Sequence, residues 1–122
     1  MNTQNLEKRH LVISHLENDR PFRIVGSANK KESESHYTLF LRILPGIPFH
    51  VVPHRDRLGE YLVFSGKKKK ADGSPTFFCK VGSAIQLFDK NVIEIHLPDL
   101  RQVYYLKLDP NIQSLSESLK AA

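Results

Sequence analysis

Four consecutive lysines, Lys67, Lys68, Lys69 and Lys70, form the densest charge in the chain. A row of ammonium groups can neutralise phosphates or meet carboxylates. Contact with a phosphate backbone releases counterions, so binding of that kind falls steeply with salt. No aromatic residue interleaves the run, so it carries no stacking platform of its own. Arg20, Arg23, Arg55 and Arg57 add four further cations, the last two in "HRDR". Guanidinium groups suit phosphates through forked hydrogen bonds. The alternative for "HRDR" is a solvated loop in which Asp56 is the local partner.

Other chemistries find less support. His50 and His54 are four apart in "FHVVPH", a spacing that brings two imidazoles together on a helix. Two valines and a proline make this segment extended, which separates the pair by about 13 Å. No cysteine pair and no H-E-x-x-H accompanies them, so no metal site is expected. The chain has no G-x-S-x-G elbow, no G-x-x-x-x-G-K-[ST] loop and no G-x-G-x-x-G. No nucleophile or general base stands out, and the expectation is a protein that is not an enzyme and holds no cofactor. The single cysteine, Cys79, lies in the apolar run "TFFCKV" and reads as an inert core residue.

These groups need a scaffold. At 122 residues, with 40% hydrophobic and 25% charged residues, the chain has the size and composition of one soluble domain, residues 1–122. No apolar run approaches the roughly 20 residues of a membrane span, and no signal peptide is read at the N-terminus. A lone cysteine excludes an internal disulfide and fits a reducing compartment, so a cytoplasmic location is expected. The net charge is +5, and the four-lysine run supplies nearly all of the excess.

Residues 4–17 show a three-to-four spacing of Leu6, His10, Ile13 and Leu16, which predicts an N-terminal helix. Beyond Pro21 the period becomes two. Strands are predicted at 21–28, 36–44, 49–52, 60–66, 76–81, 83–89 and 92–97, with a last short one at 106–109. "FHVV", held between prolines, reads as an edge strand. "PDLRQVYY", residues 98–105, predicts one or two helical turns, and the tail 110–122 has one apolar helical side. Asp72-Gly73 is a turn signal between the strands 60–66 and 76–81. The lysines therefore read as the tip of a hairpin, either solvating that tip or acting as a flexible electrostatic finger.

The order of these elements carries a resemblance. A leading helix runs into "RPFRIVG", then "YTLFLRI", "TFFCKV" and "VIEIHLP", and finally "DLRQVYYLKLDPN". Over about residues 4–109 this resembles the N-terminal split-barrel domain of the flagellar brake family, whose members carry a PilZ domain after it. The resemblance implies a scaffold and protein-contact surface linked to motility or cyclic di-GMP signalling. The family's ligand motif, R-x-x-x-R followed by [DN]-x-S-x-x-G, is not matched. Arg20 and Arg23 are three apart, Arg55 and Arg57 two apart, and Phe77 takes the glycine position after Asp72 and Ser74. Cyclic di-GMP is therefore not expected as a ligand.

The resulting expectation is a strand-rich α+β domain, a small antiparallel split β-barrel with an N-terminal helix and a short C-terminal helix. Its function would be a non-enzymatic protein-interaction module. The alternative is a basic nucleic-acid-binding barrel that uses Lys67–Lys70 with Arg55 and Arg57. The contact groups in either case are the lysine loop and the arginines Arg20, Arg23, Arg55 and Arg57.

Overall fold

The computed structural model describes residues 7–14, 23–31 and 33–108. Eight strands follow one another: β1 (Glu7–Ile13), β2 (Ile24–Lys31), β3 (Tyr37–Leu41), β4 (Pro48–Pro53), β5 (Glu60–Lys69), β6 (Pro75–Leu87), β7 (Val92–Leu97) and β8 (Gln102–Lys107). Each pairs antiparallel with the next, and β1 meets β8 through Val12–Leu106 and Ile13–Tyr105 to close the barrel. The barrel expected from the period-two segments is present, and it is closed where a split one was expected. Closure leaves no free edges in the wall, which solves the edge-pairing problem of open sheets.

The N-terminal helix is a strand. Residues 7–13 pair with β2 from Glu7–Lys31 to Ile13–Ile24. His10 and Val12, two apart, are both buried, a period the helical spacing had masked. Apolar runs this short fit either template, and tertiary pairing decides between them. The helical turns expected at 98–105 shrink to a 3-10 turn, Pro98–Leu100. Arg101 closes that turn in the left-handed region at φ 51°. β8 then follows, because Tyr104 and Leu106 alternate inward. No α-helix occurs among the described residues, so none there is long and apolar enough to cross a membrane. The tail 110–122 and the first residues of the predicted helix lie outside them.

The interior is a filled core. Leu39, Ile93, Ile95, Leu106, Val12, Val51 and Val63 are all essentially inaccessible. Burial of side chains of this size stabilises the fold by about 1.5–3 kcal/mol each. The "FHVV" segment is an interior strand, paired with β3 on one side and β5 on the other. Its prolines, Pro48 and Pro53, sit at its two ends, where the missing N–H interrupts the ladder least.

Candidate functional site

β5 and β6 run on beyond the wall. β4 pairs with β5 only as far as Phe64, and β7 pairs with β6 only from Ser83. Beyond those points the two strands pair with each other, from Phe64–Lys80 to Lys69–Pro75, and leave the wall as a two-stranded arm. The register shifts between Val63 and Phe64, so Val81 is the extra residue of a bulge. A bulge bends its strand and increases its twist. This is why "TFFCKV" and "SAIQLFD", expected as two strands, are one bent strand, β6. Cys79 sits in the bend in the left-handed region at φ 61°. It is exposed, not a core residue.

The lysines are therefore not the tip of the hairpin. Lys67, Lys68 and Lys69 lie within β5, and only Lys70 enters the turn. The turn is tight: Lys70 N–H donates to the Ser74 carbonyl at 2.8 Å, and Gly73 N–H to the Lys70 carbonyl at 2.9 Å. Gly73 takes a φ of 88°, a conformation costly for residues with a Cβ. Asp72 Oδ1 accepts from both the N–H (2.9 Å) and the hydroxyl (2.6 Å) of Ser74. These bonds lower the Asp72 pKa. Asp72 is the only acid between Phe64 and Lys80, and its carboxylate is engaged by the turn. All four lysines are exposed.

The arm bends back over the outer face of β3 and β4. Asn29, Thr38, His50 and Phe64 are successive cross-strand neighbours. They alternate with the inward Ala28, Leu39, Val51 and Val63. His50 thus lies on the outer face, yet it is only 5% exposed. The cover is Phe77 of the arm, whose ring lies 5.6 Å from that of His50, 4.9 Å from His36 and 5.9 Å from Phe64, stacked on the last. His36, 2% exposed, meets His50 edge to face at 5.8 Å.

This patch is electrostatically unusual. Asn29 Oδ1, His36 Nε2 and His50 Nδ1 are buried without a hydrogen-bond partner. Burial lowers the pKa of both histidines below the ordinary 6.5. Lys67 lowers both further, and Lys30 and Lys31 add to the effect at His36. Glu34, 3.9 Å from His36 Nε2 and beyond hydrogen-bonding reach, opposes the shift at each. Both imidazoles are therefore neutral at neutral pH. No set of three metal-ligating side chains gathers among the described residues.

Beside the arm lies an open groove of about 590 Å³. Its floor is Thr38 and Phe40 of β3 with Pro48 and His50 of β4, and its wall is Ser65–Lys67 with Phe78. Phe40 is 39% and Phe78 40% exposed. The Phe78 ring lies over Gly66, where a Cβ would come within 2.3 Å of it. Lys68 Nζ sits 5.4 Å from the centre of the same ring, within cation–π range.

The described arginines do not join this site. Arg55 and Arg57 lie in the loop before β5, where Arg57 contacts Glu60 at 3.6 Å. From Glu60 to Lys67 is roughly 23 Å of strand. Arg23 precedes β2, two strands away from β4, and its backbone N–H donates to Ser14 Oγ at 3.2 Å. Arg20 lies outside the described residues. The aromatic component was missed by reading the lysine run alone. Folding the hairpin about Asp72 sets Phe77 opposite Lys67 and Phe78 opposite Gly66, a pairing the turn signal already implied.

No family model matches the chain, and no curated protein and no solved structure matches it.

Proposed function

We propose that this chain is a non-enzymatic interaction module that holds an acidic partner against the lysine arm and the outer face of β3–β4. The observation that carries the reading is the arm itself. Three exposed lysines stand on a strand that has left the wall and a fourth opens its turn, and the one acid within the arm, Asp72, is engaged in that turn. Opposed charge of this kind steers encounter and fixes register. The same class of function, a contact surface, is what the resemblance to the flagellar brake companion domain implies. Arg55 and Arg57, at the far end of β5, play no part in it.

The test uses a fluorescent polyphosphate, a polyanion without bases, followed by anisotropy at rising salt. The wild type binds, with an affinity that falls as salt rises. The variant with Lys67–Lys70 replaced by alanine binds weakly with a shallower salt dependence, and Arg55→Ala/Arg57→Ala matches the wild type. Equal binding by the wild type and the four-lysine variant, or no binding at low salt, contradicts the proposal.

A further inference from the structure

Resting on that reading, we infer that the acidic partner is a single-stranded nucleic acid, with its phosphates on Lys67–Lys70 and a base in the groove beside the arm. Charge alone would suit any polyanion. The groove is what selects, because its exposed surface is aromatic and polar together. Phe40 on the floor and Phe78 on the wall each present about two-fifths of their surface. A base stacks on such rings whatever its identity, because every base has a π-face. Thr38 shares the floor and brings a hydroxyl to a base edge.

The arm's geometry fits the same ligand. Lys67 and Lys69, two apart on β5, share a side at a separation of roughly 6.6 Å, close to the phosphate repeat of an extended single strand. Lys67 also lines the groove, so the phosphate flanking a bound base meets a cation directly. Gly66 matters because any side chain there would displace the Phe78 ring. A duplex keeps its bases stacked inside and offers no free face to Phe40 or Phe78, so the site favours the single strand.

The test measures anisotropy with four labelled probes: a mixed-sequence single-stranded DNA, the same strand with abasic sites throughout, its duplex, and poly-glutamate. The intact strand binds tightest. The abasic strand binds about tenfold more weakly, the difference a stacked base supplies. Phe78→Ala and, separately, Phe40→Ala weaken the intact strand by a similar factor and leave the abasic strand unchanged. Both side chains are substantially exposed, so neither truncation empties the core. Thermal melts of both variants confirm that the fold is kept. Equal affinity for intact and abasic strands overturns this inference while leaving the polyanion module standing. Tighter binding of poly-glutamate overturns it in favour of an acidic protein. Failure of every probe overturns both.

Discussion

Phe77 meets His36 edge to face, with ring centroids 4.9 Å apart and planes at 67°. This contact joins the arm to the segment leading into β3, and the matching contact with His50 joins it to β4. A two-stranded ribbon alone is marginal in water. Phe77 supplies the tertiary contact that holds this one in place, and the groove exists because the arm is held.

Replacing Phe77 by alanine should release the arm while the barrel stays closed. The ring is half-buried, so the expected loss is about 2 kcal/mol, below the 3–5 kcal/mol of a core phenylalanine. Urea unfolding measures it. Amide exchange localises it: protection falls across Lys67–Lys69 and Thr76–Phe78 and holds in β7 and β8. A uniform loss of protection would show that Phe77 supports the whole barrel.

Stability should fall as the solution becomes acidic. Burial lowers the pKa of His36 and His50, and also that of His10, whose Nδ1–H donates to the Lys107 carbonyl at 3.0 Å. Between the ordinary 6.5 and the lower folded-state values, the unfolded chain binds more protons than the folded one. Stability is therefore full above about pH 6.5 and declines as pH falls through that window. Below the folded-state values it loses no more on this account. The double variant His36→Gln/His50→Gln should flatten part of the decline in urea midpoint, leaving the share of His10. An unchanged slope would show that these rings titrate as they do in the unfolded chain.

Gly66→Ala tests the groove without touching the lysines. The added Cβ would fall 2.3 Å from the Phe78 ring. That ring is the far end of a flexible side chain and swings away at a cost within about 1 kcal/mol. The melting curve should barely move, while the aromatic resonances of Phe78 shift and binding of a single strand drops to the level of Phe78→Ala. Unchanged binding would remove Phe78 from the site.

The barrel was legible in the sequence because period-two segments separated by turn residues record burial on one face. The turn at Asp72-Gly73 was legible because both residue types have backbone reasons to be there. The two ends of the described chain were not. "EKRHLVI" and "RQVYYLK" are short, and three-to-four and two-residue spacings both fit them until β2, β7 and β8 supply partners. Cys79 and its neighbours read as core because aromatic runs usually are. Here a bulge lifts them off the wall, and Phe77, half-buried, packs on the outer face. His36 and His50 gave no signal, since their burial comes from a strand far along the chain that bends back over them.

The most direct test of the account is an amide-resolved NMR titration with single-stranded DNA. Saturable shifts should centre on Thr38, Phe40, His50, Ser65–Lys70 and Phe77–Phe78, fade with added salt, and vanish in the variant with Lys67–Lys70 replaced by alanine. Shifts centred instead on the 54–59 and 88–91 loops at the opposite end of β5, or none, would contradict the assignment of the arm and its groove as the contact surface.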